Sequence, residues 1–248
     1  MATYRTDPDL HFLSMCDNED LGLLVSVLTH DPKDGVARWS ETLTTSSEYK
    51  NYYPQHNQYW PLIAAELQTY GANSFANLLR RGKGVMYREV LCDVCDKMKV
   101  NYNKKSSTES IELNMLLKVL EKILSEMSPE ALQEFASDME IELTNPTPEV
   151  ILMAIQAAIK TTGFAAYRLA SIIVSVVAKN VIGRSLPFPA FILLTRSMKV
   201  LAGPIGWAVS SAWLATDLAG PAYRVTIPAC LFIAYMRQKY IHNQELSR

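Results

Sequence analysis

The stretch LAGPIGWAVSSAWLATDLAGPAYRV, residues 201–225, decides how the C-terminal half of this chain folds, because one acid and one base lie among apolar and small residues. Such a segment crosses a membrane, lies on one or fills a protein core. The motif LAGP occurs twice, and Gly followed by Pro stops a helix, so about fifteen residues remain between the two stops. A helix of that length is about 22 Å long against a hydrocarbon core of about 30 Å. The sequence therefore disfavours a conventional membrane span.

Charge is divided unevenly between the two halves of the chain. Residues 1–150 contain 23 acidic and 14 basic side chains, whereas residues 151–248 contain 2 acidic and 10 basic ones. A basic and apolar half suits an anionic lipid surface or an acidic partner, since each basic group near such a membrane contributes about 1 kcal/mol. Alternatively, the two halves pack together and neutralise each other.

Helix-start signals and helical spacing recur along the whole sequence. Asp17 or Asn18, Ser128 and Thr147 are each followed by helix-forming residues, and Pro stands at the first helical position after the last two. We therefore predict an all-α fold, with an acidic N-terminal helical domain followed by a basic, strongly apolar helical C-terminal domain. The prolines of MEIELTNPTPE mark the main boundary, and the predicted segments are a short N-terminal module (1–44), an acidic domain (45–146) and a basic apolar domain (147–248). In HDPKDGVARWS we expect a turn and a short extended piece.

A polar stripe runs along GFAAYRLASIIVSVVAKNVIG, residues 163–183. Arg168, Ser171, Ser175 and Lys179 are spaced by three, four and four residues, and apolar residues occupy the other side. A helix of this kind lies at a membrane interface or sits in a core with its stripe at the surface. The predicted membrane or client contacts are the basic and Trp residues of the C-terminal half: Arg168, Lys179, Arg196, Lys199, Trp207, Trp213 and Arg224.

Motifs for chemistry are few. Cys92 and Cys95 form one Cys-x-x-Cys pair without a second pair, which makes them weak metal or redox candidates beside ordinary packing. The loop RRGKGVMYR offers a candidate anion-binding site made of Arg80, Arg81, Lys83 and Arg88, without the spacing of a phosphate-binding P-loop. The four histidines are scattered along the sequence. We predict no catalytic site, no cofactor and no nucleic-acid partner.

Three stretches carry a family resemblance. YRTDPDLHFLSMCDNEDLGLLVSVLTHDPKDG, GKGVMYREVLCDVCDKMKVNYNKKSSTE and GPIGWAVSSAWLATDLAGPAYRVTIPA resemble the YaaW family of bacterial proteins, which is grouped with the ubiquinol–cytochrome c chaperones. The resemblance covers nearly the whole chain and implies a bacterial origin. It also implies a membrane-protein client, because eukaryotic members of the group assist cytochrome b during respiratory complex assembly.

Two functions follow from these observations. In the first, a non-enzymatic protein associates with anionic lipid or apolar membrane segments through its basic apolar half. In the alternative, an assembly chaperone holds an apolar client segment of a membrane or respiratory-complex protein. The N-terminus lacks a secretory signal and four cysteines do not make a disulfide framework, so we expect a cytoplasmic protein partly associated with the inner membrane. The sequence leaves homo-oligomer formation open.

Overall fold

The computed structural model describes residues 2–31, 37–38, 41–72, 84–179 and 222–247, and these residues are mainly helical. Within those ranges there is no β-strand, so the all-α prediction is confirmed. An isolated bridge pairs His30 with Ala37, where the sequence predicts a turn and an extended piece.

Two 3₁₀ helices span His11–Met15 and His56–Tyr59. The α-helices are α1 (Asn18–Thr29), α2 (Ser47–Tyr52), α3 (Trp60–Ala72), α4 (Tyr87–Lys97), α5 (Thr108–Ser125), α6 (Pro129–Asp138), α7 (Pro148–Thr161), α8 (Gly163–Val177) and α9 (Tyr223–Leu246).

Side-chain caps set the predicted helix starts. The Asp17 carboxylate accepts from the backbone N of Asp20 at 2.8 Å and begins α1. The Ser128 hydroxyl caps α6, and the Thr147 hydroxyl caps α7. Each cap satisfies a backbone N–H that the helix leaves without an internal partner. The local sequence therefore determines where these helices begin.

Helix α9 lies at the centre of the fold. Nearly every side chain from Tyr223 to Met236 is buried. The helix packs against α1, α3, α4 and α5, and most extensively against α8. Burial on all sides explains why this segment is apolar without a single apolar stripe. Helix α9 thus holds together helices from both halves of the sequence.

Helix α8 is buried on most of its surface, including its predicted polar stripe. Ser171 and Ser175 are both buried, so the expectation that the whole stripe faces the surface is wrong. Their hydroxyls donate to the carbonyls of Tyr167 and Ser171, one turn earlier in the same helix. These internal hydrogen bonds satisfy the serine hydroxyls, which allows them to pack in the core.

The predicted separation into an acidic and a basic domain is not confirmed. Arg237 of α9 pairs with Glu112 of α5, and Lys239 of α9 pairs with Asp17 beside α1. The two halves are therefore in direct ionic contact, as the alternative interpretation of the charge division requires. The segment boundaries at 44 and 146 remain predictions, and the second lies in the non-helical residues 139–147 between α6 and α7.

Candidate functional site

A buried ion pair joins α9 to α5. The carboxylate of Glu112 is fully buried and accepts from Arg237 Nε at 2.7 Å and from the Tyr87 hydroxyl at 2.7 Å. Arg237 also donates to the carbonyl of Asp9 at 2.7 Å and lies 4.4 Å above the ring of Phe12. Burial raises the pKa of Glu112, and the adjacent guanidinium opposes that shift. Every donor named here is used within the protein, so we assign this pair a structural role.

A second ionic cluster holds α9 against α1. The Lys239 ammonium lies 2.7 Å from Asp17 Oδ2 and 2.8 Å from Asp20 Oδ2. Burial raises the pKa of Asp20 to about 6, although the neighbouring ammonium acts in the opposite direction. Lys239 lies in the second half of α9, so this cluster fastens α9 to the start of α1.

Three of the cysteine thiols lie in helices: Cys92, Cys95 and Cys230. Cys92 is half-buried, whereas Cys95 and Cys230 are buried. Burial raises the pKa of Cys95 to about 12 and holds the pKa of Cys230 well above its ordinary value. A neutral thiol is a poor nucleophile and a poor metal ligand. Among the described residues, no group of three or more His, Cys, Asp or Glu side chains is arranged to hold a metal ion.

Of the four basic residues predicted to bind an anion, the structure describes Arg88. Arg80, Arg81 and Lys83 lie outside the described residues. Arg88 belongs to α4, and its guanidinium donates to the carbonyls of Lys104 and Ser106 and to the Thr108 hydroxyl. Arg88 therefore fastens the loop before α5 to α4.

The predicted basic contact residues occupy different environments. Arg168 is mostly buried, donates to the Asp138 carbonyl at 2.6 Å and lies 3.3 Å from Glu140 Oε1. Lys179 is exposed, and Arg224 is half-buried in the first turn of α9. Arg196, Lys199, Trp207 and Trp213 lie outside the described residues. Among the predicted contacts that the structure describes, Arg168 has a defined set of partners, and one of them, Glu140, lines a groove.

An open groove of about 730 Å³ lies between α6 and the segment that follows it. Its lining residues are Gln133, Ser137, Glu140, Ile141, Glu142, Leu143 and Thr144. Ile141 and Leu143 are half-buried and pack against the core, while Glu140 and Glu142 are exposed. The Gln133 amide donates to the Leu143 carbonyl at 3.2 Å and holds the two sides together. The groove therefore combines apolar walls with a negatively charged rim.

Aromatic rings extend from this groove along α8 and α9. Arg168, which pairs with Glu140, also lies 5.7 Å from the ring centroid of Phe164. Phe164 contacts His242 at 5.3 Å, and Tyr167 stacks on His242 at 5.0 Å. We call Phe164, Tyr167 and His242 the aromatic cluster. Arg168 bridges the groove and the aromatic cluster.

Large apolar side chains are exposed on α7, α8 and α9. Phe164 of α8 is 41% exposed, Leu246 of α9 is 73% exposed and Met153 of α7 is 60% exposed. Helix α7 buries only Ile151 and Ile155, although most of its residues are apolar. Exposed apolar side chains that form a contiguous patch are characteristic of surfaces that bind other molecules. Within the described ranges, no helix combines the length and the apolar character needed to cross a membrane.

Comparison with known proteins identifies the class of protein. The model of the ubiquinol-cytochrome C chaperone family matches residues 55–232, and a domain of unknown function, DUF3944, matches residues 4–39. The chain therefore belongs to the ubiquinol-cytochrome C chaperone family and, with its curated relatives, to the UPF0174 proteins. The resemblance expected from the sequence is confirmed.

The relatives are bacterial. A UPF0174 protein of Helicobacter pylori strain J99 is 46% identical over 95% of this chain and 93% of its own length. One from Helicobacter pylori strain 26695 is 40% identical over 81% of this chain and 98% of its own length. The UPF0174 protein YaaW of Escherichia coli K12 is 34% identical over 96% of both chains. No solved structure matches this chain.

Sequence reasoning missed the groove and the aromatic cluster. The groove segment reads Glu140, Ile141, Glu142, Leu143, Thr144, and this alternation of apolar and polar residues is the signal of an extended segment with one buried side. The prolines that follow, Pro146 and Pro148, indicate a segment boundary at the same place. The aromatic cluster had no comparable signal, because His242 reaches Phe164 and Tyr167 only through the packing of α9 on α8.

Proposed function

We propose that this protein is a non-enzymatic assembly chaperone that holds an apolar segment of a membrane protein during assembly. The match to the ubiquinol-cytochrome C chaperone family over residues 55–232 carries the proposal. The proposed client is a bacterial membrane or respiratory-complex protein, held in the cytoplasm or at the inner membrane. Exposed Phe164 and Leu246 support this function, because a chaperone needs apolar side chains that a client can cover.

Association with anionic lipid is the second candidate, favoured by the basic composition of residues 151–248. Three of the described basic side chains in that half are already paired with acidic groups of the same protein: Arg168, Arg237 and Lys239. Their charge is thus largely compensated within the fold. This internal pairing is the reason to place client binding ahead of lipid binding.

A binding experiment with the full chain separates the two functions. The probe is a fluorescent peptide of about ten apolar residues, roughly half of a membrane span, with neutral hydrophilic tails. We expect the protein to bind this peptide without any lipid and to keep it from aggregating. In parallel, flotation with neutral and with anionic vesicles measures lipid binding. If the protein floats with anionic vesicles and does not bind the peptide, the chaperone function is wrong and lipid binding takes its place.

Two surface variants test whether the exposed apolar side chains take part. Phe164→Ser and Leu246→Ser should each lose about 1 kcal/mol of peptide binding, equivalent to about fivefold in Kd, because each removes apolar area that a client would cover. The matched control is Tyr52→Ser, since Tyr52 is 42% exposed and Phe164 is 41% exposed. Equal losses in the control and the two variants would show that the peptide binds the surface without selectivity.

A further inference from the structure

The side chains that line the groove after α6 favour one kind of apolar segment over others. Ile141 and Leu143 supply apolar walls, and Glu140 and Glu142 lie on its rim. Helix α6 ends at Asp138, next to the lining residues Ser137 and Glu140, and the C-terminal end of a helix carries partial negative charge. No Lys or Arg is among the lining residues. The groove therefore suits a ligand that is apolar along its length and positively charged at one end.

Arg168 shows that this rim accepts a cation. Its guanidinium lies 3.3 Å from Glu140 Oε1 and 2.6 Å from the Asp138 carbonyl at the end of α6. The Glu140 side chain is nevertheless 81% exposed, so most of its carboxylate surface still faces solvent. The rim thus binds one guanidinium from inside the protein and presents further acidic surface on the outside.

We propose that this groove binds the basic end of the client's apolar segment, with the client's Lys or Arg side chains on Glu140 and Glu142 and its apolar residues against Ile141 and Leu143. This inference rests on the proposed chaperone function. Membrane helices carry an excess of Lys and Arg on their cytoplasmic side. A cytoplasmic chaperone that recognises an apolar run next to basic residues would therefore recognise the end of a membrane helix that faces it.

The test compares three peptides on the full-length protein. They share one apolar run and one neutral hydrophilic tail, and the other end carries Lys, Ser or Glu residues. We expect the Lys-ended peptide to bind most tightly and the Glu-ended peptide most weakly, by about fivefold at each step, with the difference shrinking as salt rises. Glu142→Lys should abolish the preference for the Lys-ended peptide. The matched control is Glu126→Lys, which makes the same change of charge at an exposed position outside the groove lining.

The outcomes separate this inference from the proposed function. If all three peptides bind equally and Glu142→Lys changes nothing, the groove inference is wrong while client binding stands. If none of the peptides binds, the chaperone function itself is wrong. If Glu126→Lys removes the preference as fully as Glu142→Lys, the effect comes from overall charge, and the groove inference is again overturned. Circular dichroism of each variant checks that its helices are intact.

Discussion

The Nε atom of Arg237 lies 2.7 Å from Oε2 of Glu112, although 125 residues separate the two along the chain. Glu112 is fully buried on α5, and Arg237 reaches it from α9. A buried carboxylate is costly unless it is paired and hydrogen-bonded, and this one has both Arg237 and the Tyr87 hydroxyl as partners. The position of the central helix is therefore tied to one buried charge.

Removing the arginine should be more harmful than removing both charges. Arg237→Met leaves Glu112 buried without its cation, and the free energy of unfolding should fall by about 3 kcal/mol or more. The double variant Glu112→Gln with Arg237→Met should recover at least half of that loss, because a glutamine amide still accepts from Tyr87 and carries no charge. Urea unfolding followed by circular dichroism measures the free energy of unfolding of the single and the double variant. A double variant no more stable than Arg237→Met would show that the loss comes from the missing interactions of Arg237 and not from the unpaired charge of Glu112.

Asp20 should give the protein a measurable pH dependence. Burial raises the pKa of Asp20 to about 6 in the folded protein, above the ordinary value of 3.8. The folded state therefore binds this proton more tightly than the unfolded state, so the contribution of Asp20 to stability falls as pH rises from about 4 through about 6. Asp20→Asn imitates the protonated carboxyl. As pH rises from 4.5 to 7.5, the free energy of unfolding of Asp20→Asn should increase by about 2 kcal/mol relative to that of the wild type.

Asp17 provides the matched control for this measurement. Its pKa is lowered, with Lys239 and the Asp20 backbone N–H as partners that oppose the effect of burial. The stability that it contributes is present above its ordinary pKa and is lost only as pH falls through the lower, folded value. Asp17 also contributes to the raised pKa of Asp20, so the free energy of unfolding of Asp17→Asn relative to the wild type should change between pH 4.5 and 7.5 by less than that of Asp20→Asn. A parallel slope in the two variants would show that the pH dependence does not come from Asp20.

Two glycines should respond in opposite ways to an added methyl group. A Cβ at Gly71 would lie 2.3 Å from Cγ2 of Val90 and 2.9 Å from Cγ2 of Val85, both of which are buried. Gly71→Ala should therefore lower the free energy of unfolding by about 1–3 kcal/mol. At Gly163 the nearest atom is Oε2 of Glu245 at 2.6 Å, the end of an exposed side chain that can move away. Gly163→Ala should leave the free energy of unfolding unchanged or raise it by up to about 1 kcal/mol. A loss like that of Gly71→Ala would show that the Glu245 side chain cannot move away from the start of α8.

The local sequence is sufficient to predict the helices and their caps but not the contacts between distant helices. Ser128 and Thr147 each stand directly before a proline and a glutamate, so these caps can be read from neighbouring residues alone. The pairing of Lys239 with Asp17 cannot be read in this way, because 222 residues separate the two. For the same reason, the basic C-terminal half looks like a lipid-binding surface in sequence, while the structure shows Arg237 and Lys239 paired with acidic groups of the N-terminal half.

Arg168 and Lys179 lie three turns apart on one predicted polar stripe, yet they should respond differently to substitution. Arg168 binds the Asp138 carbonyl and Glu140 and lies against Phe164, whereas Lys179 is exposed. Arg168→Ala should lower the free energy of unfolding by about 1–3 kcal/mol, because it removes a mostly buried side chain together with its hydrogen bond to the Asp138 carbonyl. Lys179→Ala should change it by less than about 0.5 kcal/mol. Urea unfolding measures the stability of both variants, and vesicle flotation measures their binding to lipid. Equal stability losses would place Arg168 at the surface with Lys179, and equal losses of flotation without any loss of stability would favour a lipid-binding stripe.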